Sequence, residues 1–493
     1  MRHCSRYKLG SSALKPVNSI VQISKPTKTA RVASAIRGFR LIPPIDRHPR
    51  VVLFVQTPLG KIVLTGLFGI EFSFFHHDPL TASAWTLFLG LITLMPEYRR
   101  FILALAPVAL AIVENVENPL VVGMTLSVVG LGLLLYWCAM LWPASSFGRR
   151  PILYLLSSVA LLLATACWIQ PKTIFSLVIW SFVGVVANYV WFIAYALTDR
   201  ASKPASDLTL ELTAFRPLWG STDTPFPKGA AYLRRIEART PQELAISQLK
   251  GLKLLAWAII LELISLAWNY VFHVYLQIPT SAQSLARSVQ GIPVAWPLRW
   301  ESTVLAFFES LLTISVIGHE FIAICRVAGF NALRNTYRPL SSTTIAEFFN
   351  RYYYYYKELI VDFFFYPAFF RYWKRRPRLR MIFATFAAAC FGNFFFHFIR
   401  DWQMLRDQGL AKTISEDEGF AFYCVALATM LSISQLRKKR AKPAGILRGH
   451  ILPAVGVCFL FSLLNIFVPE TKTQRYALMD YFRYLASLFF IHL

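Results

Sequence analysis

The sequence predicts an all-α, polytopic integral membrane protein. Hydrophobic residues make up 56% of the 493 residues, aromatic residues make up 15%, and the mean hydropathy is +0.48. A soluble domain cannot solvate so much apolar surface. The chain contains about twelve apolar runs that can cross a bilayer as helices of roughly 17–25 residues, some slightly shorter with flanking anchors. These runs begin near Ile62, Ser83, Phe101, Leu120, Ile152, Ile174, Leu252, Val304, Met381, Gly419, Ile451 and Tyr476.

The positive charge of the chain indicates its orientation. The formal net charge is +25, but the basic residues are clustered between apolar runs, so we expect no nucleic-acid partner. Cytoplasmic loops of membrane proteins collect Lys and Arg. A cytoplasmic amino terminus places all basic clusters inside and the polar or acidic segments 76–78, 114–117 and 416–418 outside. The basic clusters are at residues 99–100, 149–150, 371–380 and 437–448. We therefore expect both termini in the cytoplasm and the protein in the plasma (inner) membrane.

The chain divides into a tail and one membrane domain. Residues 1–50 contain eleven Lys and Arg and a single acid, Asp46. We expect a basic, disordered cytoplasmic tail there, with an organelle-transit segment as the alternative. Residues 51–493 form the membrane-embedded domain. The seven cysteines show no metal-ligand spacing, so we expect no metal site.

The longest polar interruption is the cytoplasmic loop 198–250. Its Gly, Pro, Ser and Asp residues favour turns. The start of a helix is indicated by Thr240 as its N-cap, Pro241 as its first residue and Glu243 as its third residue. A helix should therefore lead directly into the span near Leu252. The loop is either a substrate lid with cationic contacts or a structural cap.

An unusual aromatic segment lies at about residues 345–372, within the motif region 329–402. It mixes many Phe and Tyr residues with charges, which neither a spanning helix nor a soluble helix does. We therefore expect a re-entrant or horizontal segment beside a wet cavity. Glu358 and Asp362 are four residues apart and repel each other on a helix, so they need a cation from elsewhere. Arg351 is a candidate.

Two motifs in this region resemble the membrane-bound O-acyltransferase family. The first is Glu347-Phe348-Phe349-Asn350-Arg351-Tyr352-Tyr353, and the second is Phe391-Gly392-Asn393-Phe394-Phe395-Phe396-His397-Phe398 in the next span. The resemblance covers roughly residues 330–402. It implies a multi-helix tunnel in which acyl-coenzyme A enters from the cytoplasm as cosubstrate, with no bound cofactor. A hydroxylated acceptor would enter from the other side or from membrane lipid, and His397 would be the general base.

The chemistry of acyl transfer gives the neighbouring residues roles. An imidazole can remove the proton of an acceptor hydroxyl near neutral pH. Asn393 shares a helix face with His397, so its amide can orient the imidazole or bind the thioester carbonyl. Asn350 or a tyrosine of the Tyr352–Tyr354 run would donate a hydrogen bond to the developing oxyanion. The coenzyme A phosphates would bind a basic group of residues. That group comprises Arg351, Lys357, Arg375 and Arg376.

The same residues permit other interpretations. A lone intramembrane histidine can bond a neighbouring helix, and residues 371–380 can be an orientation anchor. The alternative function is a transporter or flippase whose polar islands around His319 and Asn350 form a central site. No inverted repeat supports it. A lipid-linked sugar transferase is a weaker third possibility. The sequence leaves open the acyl chain, the acceptor, the oligomeric state and an accessory protein.

Overall fold

A computed structural model describes residues 41–75, 79–114, 118–169, 173–199, 208–215, 217–220, 228–437, 445–468 and 475–491. Within these ranges the chain forms helices and no strand, apart from one isolated antiparallel bridge between Glu237 and Phe330. The first half contains α1 (Pro49–Gln56), α2 (Pro58–Phe75), α3 (Pro79–Leu94), α4 (Arg99–Glu114), α5 (Pro119–Leu141), α6 (Ser146–Arg149), α7 (Pro151–Trp168), α8 (Ile174–Asp199), α9 (Leu208–Phe215), α10 (Ala230–Ile236) and α11 (Pro241–Asn269). The second half contains α12 (Ser281–Val289), α13 (Trp296–Val327), α14 (Ile345–Tyr352), α15 (Tyr354–Ile360), α16 (Tyr366–Arg371), α17 (Pro377–Phe386), α18 (Asn393–Arg400), α19 (Trp402–Gln408), α20 (Leu410–Glu416), α21 (Glu418–Leu436), α22 (Leu452–Asn465) and α23 (Leu478–Leu488).

The predicted all-α, polytopic class is confirmed. Nine helices in the described part of the chain are long and apolar enough to cross a membrane. Three of them include π-helical turns, and these run over Pro241–Tyr275, Pro377–Arg400 and Leu447–Asn465. Three of the expected spans are shorter. Helices α3 and α4 have 16 residues each, and α23 has 11 residues. An eleven-residue helix is only about 16 Å long, so α23 cannot cross a bilayer by itself.

The amino-terminal end of the membrane domain is fixed by an ion pair. The tail predicted over residues 1–50 lies outside the described residues as far as residue 40. Residues 45–47 already form a helical turn, and α1 begins at Pro49. The carboxylate of Asp46 accepts a 2.5 Å bond from Lys253 Nζ of α11. The one acid of the basic tail is therefore used to hold the start of the helical unit.

The described part of the 198–250 loop is packed into the protein. Leu210 and Phe215 of α9 are fully buried, and the buried Trp219 packs on Phe330 with ring centroids 5.3 Å apart. The predicted N-cap is confirmed, because Thr240 Oγ1 accepts a bond from the Glu243 amide. Helix α11 then runs without interruption into the span. These residues behave as a structural cap on α4 and α8.

Helices α11 and α13 make the longest packed pair in the described unit. They approach closely where Gly251 faces α13, since a Cβ at Gly251 would lie 2.8 Å from Val327 Cγ2 and 2.9 Å from the Ala323 carbonyl. Ser247 Oγ donates to the carbonyl of Arg326 across the same contact, at 2.8 Å. A small residue with a hydroxyl neighbour allows two helix backbones to approach this closely.

Glu237 links the start of α4 to the connection between α10 and α11. Its carboxylate accepts bonds from Arg99 at 2.6 Å and from Arg100 at 2.9 and 2.7 Å. We expect Glu237→Gln to lower the unfolding free energy by about 2 kcal/mol, because it leaves a buried guanidinium without its counter-ion. Thermal unfolding in detergent measures this loss. The control is Glu97→Gln, an exposed neighbour, and an equal effect of both changes would contradict the prediction.

The contribution of Glu237 should also depend on pH. Burial raises the pKa of the Glu237 carboxyl, but bonds from Arg100 and Arg99 lower it by more, so its pKa lies below the ordinary value. The stabilisation is then complete above the ordinary glutamate pKa of about 4.3 and is lost as the pH falls through the lowered pKa. We expect the difference in melting temperature between wild type and Glu237→Gln to be constant between about pH 5 and pH 7. The difference should become smaller below about pH 4. A difference that does not change with pH would exclude this linkage.

Candidate functional site

The aromatic segment folds as a broken helix. Thr344 caps α14 by accepting a bond from the Glu347 amide, and the Glu347 carboxylate in turn accepts a bond from the Thr343 amide. Helix α14 ends at Tyr352, and the next residue, Tyr353, leaves the helical conformation with φ −140° and ψ 73°. Helix α15 then begins, followed by a π-helical turn at Val361–Phe365 and α16. None of these pieces is among the nine spanning candidates, as expected for a segment that does not cross.

Asn335 satisfies the backbone groups that the break exposes. Its carbonyl accepts a bond from the Tyr354 amide at 3.1 Å, and its side-chain oxygen accepts one from the Tyr355 amide at 3.2 Å. On the other side of the break, Thr336 donates to the carbonyl of the residue before Tyr353 at 2.8 Å. Both Asn335 and Thr336 are buried. Irregular backbone is tolerated inside a membrane protein only when protein groups replace the missing bonds in this way.

A cavity of about 210 Å³ lies between this segment, the π-helical turn at Ala387–Gly392 and α21. We call it the central cavity. Its polar lining residues include Asn350 of the first motif, Tyr356 and Lys357 just after it, and Asn393 of the second motif. The lining residues are Ala346, Phe349, Asn350, Tyr356, Lys357, Ile360, Val361, Phe365, Thr385, Ala388, Ala389, Asn393, Leu427, Leu431 and Gln435. The cavity is therefore mainly apolar with a few convergent polar groups, the usual composition of a small-molecule site.

A hydrogen-bond chain connects the two motifs. Tyr356 donates its hydroxyl hydrogen to Asn393 Oδ1 at 2.5 Å, and Asn393 Nδ2 donates to Cys424 Sγ at 3.4 Å. The chain thus joins α15, α18 and α21. Both polar atoms of Asn393 are used in it, so the structure places the Asn393 amide on Tyr356 and Cys424. The sequence had suggested that this amide either orients the imidazole of His397 or binds the thioester carbonyl.

His397 lies one helical turn after Asn393, behind the wall of the central cavity. Its ring packs at steep angles against three aromatic rings, with centroids 4.7 Å from Phe420, 5.4 Å from Phe396 and 5.9 Å from Tyr356. No side-chain hydrogen bond joins the imidazole to another described residue. Tyr356 is the direct link, because it lines the cavity, bonds Asn393 and contacts His397.

A buried ion network follows His397 at the end of the span. Asp401 accepts bonds from Arg400 at 2.9 Å and from Arg475 at 3.2 Å, and Arg475 also pairs with Asp417. Burial raises the pKa of the Asp401 carboxyl, but the bond and charge of Arg400 lower it by more. Trp402 stacks on Trp180 with centroids 6.3 Å apart. The Arg-Asp-Trp group is therefore packed against other helices.

The remaining predicted site residues are distributed unevenly. Asn350 and Lys357 line the central cavity, and Lys357 lies 5.0 Å from the Tyr354 ring centroid. Tyr353 stands at the helix break and packs on Tyr356 with centroids 5.4 Å apart. Arg351 is turned away, because it bonds Glu347 and Ser341 at 2.7 Å each. Arg375 and Arg376 are exposed on the turn between α16 and α17.

The cation shared by Glu358 and Asp362 is Lys228, while Lys357 pairs with the other oxygen of Glu358. The candidate Arg351 was wrong, because it pairs with Glu347. Lys228 Nζ lies 2.8 Å from Glu358 Oε2 and 2.7 Å from Asp362 Oδ2, while Tyr195 donates to Asp362 at 3.4 Å. Burial lowers the pKa of Lys228, but its bonds to the two carboxylates raise it by more. The like-charged pair indicated that a cation was needed. Lys228 lies 130 residues before Glu358 in the chain, so only the tertiary structure identifies it as that cation.

The second polar island is separate from the central cavity. His319 is buried, and its Nδ1 lies 2.6 Å from the carbonyl of Ser315 in the same helix. Arg326 donates two bonds to the carbonyl of Ala332, at 3.0 and 2.8 Å. These contacts hold the end of α13 and the loop that follows it. Among the described residues, no group of three His, Cys, Asp or Glu side chains is placed to hold a metal ion.

No protein-family model matches the chain, and no curated protein matches it. The class of protein rests on the helical, multi-pass architecture.

The Lys228 bridge can be tested by a double-mutant cycle. Lys228→Met should lower the unfolding free energy by about 2–4 kcal/mol, because it removes the cation between two partly buried carboxylates and leaves Asp362 without an ion pair, while Glu358 keeps Lys357. Adding Asp362→Asn should recover part of the loss, since one of the repelling charges is removed. Thermal unfolding in detergent is measured for the wild type, Lys228→Met, Asp362→Asn and the double variant. Lys412→Met, which removes an exposed ion pair with Glu416, is the control and should have little effect. Additive effects in the cycle would contradict the bridge.

Proposed function

We propose that this protein is a membrane-embedded O-acyltransferase that moves an acyl group from acyl-coenzyme A to a hydroxyl acceptor. The observation that carries the proposal is the position of Tyr356. It joins the cavity between the two motifs to Asn393 by a 2.5 Å bond and to His397 by a ring contact. A base, amide groups and an apolar cavity thus lie together, and acyl transfer needs all three.

The span Pro377–Arg400, which contains His397 and is called the histidine helix below, is long enough to lie along an acyl-coenzyme A molecule. The span Pro377–Arg400 begins directly after the basic turn that contains Arg375 and Arg376. His397 lies about 30 Å from that turn at 1.5 Å per residue. The central cavity lies beside Thr385 and Asn393, between the two ends. An acyl-coenzyme A bound along this path would have its phosphates at the basic turn, or nearer at Lys357, and its thioester towards His397.

The proposed reaction conserves atoms and charge. His397 accepts the proton of the acceptor hydroxyl while the hydroxyl oxygen forms a bond to the thioester carbonyl carbon. The oxygen of that carbonyl becomes an oxyanion, and the amide of Asn350, which lines the cavity, would donate a hydrogen bond to it. The carbon–sulfur bond then breaks, and the leaving thiolate takes the proton from the imidazolium. An ester, free coenzyme A and a neutral imidazole result, without a bound cofactor.

The orientation in the membrane belongs to the same proposal. The basic turn and the buried network of Asp401, Asp417 and Arg475 lie at opposite ends of the histidine helix. With the basic end in the cytoplasm, acyl-coenzyme A meets the protein on the side where it is made, and both termini face that side. The hydroxylated acceptor approaches His397 from the opposite side or from lipid. The plasma (inner) membrane is the expected location.

A transporter or flippase is the alternative function. It would use the intramembrane polar groups to bind a substrate without making or breaking a bond. His319 was expected to contribute to such a site, but it bonds within its own helix and does not line the central cavity. This separation supports the enzyme over the transporter.

Thiol release from acyl-coenzyme A tests the proposal. Purified protein is given donors of different chain length, with lipid and sugar alcohols as acceptors. His397→Ala should lower the rate about 10²- to 10⁴-fold, the contribution typical of a general base. The matched control is His450→Ala, which removes an exposed histidine of another helix. Size-exclusion profiles must show that both variants are folded.

Acceptor-dependent release that disappears only in His397→Ala would support the enzyme. Equal release by wild type and His397→Ala, with ester product formed by both, would exclude His397 as the base. Uptake of a substrate into vesicles without any ester product would favour the transporter.

A further inference from the structure

A second and larger cavity, of about 770 Å³, lies at the junction of α1, α2, α4 and the start of α11. We call it the basic cavity. It shares no lining residue with the central cavity. Its walls are Val55, Gln56, Lys61, Pro96, Glu97, Arg99, Arg100, Arg234, Glu237, Ala238, Arg239, Thr240, Pro241, Leu244, Ala245 and Gln248. Acyl transfer as proposed above assigns this cavity no role.

The charge of the basic cavity is strongly positive. Its lining residues include five cations and two acids. The cations are Lys61, Arg99, Arg100, Arg234 and Arg239, and the acids are Glu97 and Glu237. Both oxygens of Glu237 are already occupied by guanidinium groups. The lining of this concave wall thus contains more cations than acids, a composition that favours an anion.

Arg99 points to a ligand independently of this charge count. Its side chain is more than nine-tenths buried, and one terminal nitrogen bonds Glu237 and the Ala238 carbonyl. Its Nε is buried with no hydrogen-bond partner. A buried guanidinium N–H without an acceptor is costly, so Arg99 keeps an unmet hydrogen-bonding demand in the wall of the basic cavity.

Three helices begin at the basic cavity. Lys61 is in the first turn of α2, Arg99 begins α4, and Pro241 begins α11. The amino-terminal end of a helix carries a partial positive charge and attracts anions. The dipoles of three helices of 18, 16 and 29 residues thus add to the charge of the side chains.

We propose that the basic cavity binds a phosphate monoester. A dianionic phosphate matches the surplus charge, and its several acceptor oxygens suit guanidinium groups that present paired N–H donors. The cavity is larger than one phosphate, so it also holds part of the organic group. The shared chemistry is found in a phosphatidic-acid headgroup and in a soluble phosphate such as glycerol 3-phosphate.

Lipid binding by the full-length protein, held in an amphipathic polymer that leaves vesicles intact, tests the proposal. The probes are vesicles of phosphatidic acid in phosphatidylcholine, vesicles of phosphatidylcholine alone, and glycerol 3-phosphate as a soluble competitor. The variant is Lys61→Ala/Arg239→Ala, since neither side chain forms an ion pair with a described residue and Arg99 and Glu237 stay in place. The control is Arg406→Ala/Lys412→Ala, which removes two exposed charges elsewhere.

Wild type and Arg406→Ala/Lys412→Ala should bind phosphatidic-acid vesicles with the same affinity. The affinity of Lys61→Ala/Arg239→Ala for these vesicles should be lower by about tenfold or more. If glycerol 3-phosphate competes with the vesicles, a soluble phosphate monoester is sufficient for binding to the basic cavity. Binding of the lipid without such competition would identify the headgroup in its membrane. Equal binding by both double variants, or equal binding of phosphatidylcholine, would overturn the proposal. The assay contains no acyl donor, so its outcome is independent of acyl transfer.

Discussion

Glu358 and Asp362 share the ammonium group of Lys228, and the placement of the aromatic segment depends on this bridge. Without a common cation, two carboxylates one helical turn apart could not pack beside apolar helices. Lys228 reaches them from a backbone with φ of 89°, a left-handed conformation that costs energy for a residue with a side chain. The surrounding helices therefore hold Lys228 in place, and Lys228 holds the segment.

The polar groups of the aromatic segment then form hydrogen bonds with neighbouring parts of the protein. Asn335 supplies the backbone bonds that the break at Tyr353 removes, and Tyr356 bonds Asn393 of the next span. The two π-helical turns then meet closely, because a Cβ on Gly392 would lie 2.6 Å from the ring of Phe364. Only glycine allows this approach. The central cavity is the space left beside these constrained contacts.

The two cavities differ in the way their walls are charged. The central cavity is mainly apolar, with amide, hydroxyl and ammonium groups at a few points, and it lies beside a histidine surrounded by aromatic rings. The basic cavity is lined by five cations and two acids, and one of these acids, Glu237, is fully engaged by arginines. An acyl chain with a reacting carbonyl suits the first wall, and a phosphate suits the second. One helical unit thus offers two chemically distinct environments at separate places.

The sequence by itself determined the class of protein, most of the spans, the cap of α11 and the irregular character of the aromatic segment. These features depend on composition, on local hydrogen bonds such as that between Thr240 and Glu243, and on residues that cannot fit a simple helix. The sequence also singled out Asn350, Lys357 and Asn393, which line one cavity. Only the tertiary structure decided that Lys228 pairs with Glu358 and Asp362, that Arg351 turns away, and that α23 is too short to span. It also decided that five cations from distant segments form one basic cavity. Such pairings join residues far apart in the chain, and their energies depend on distances and burial that no local pattern contains.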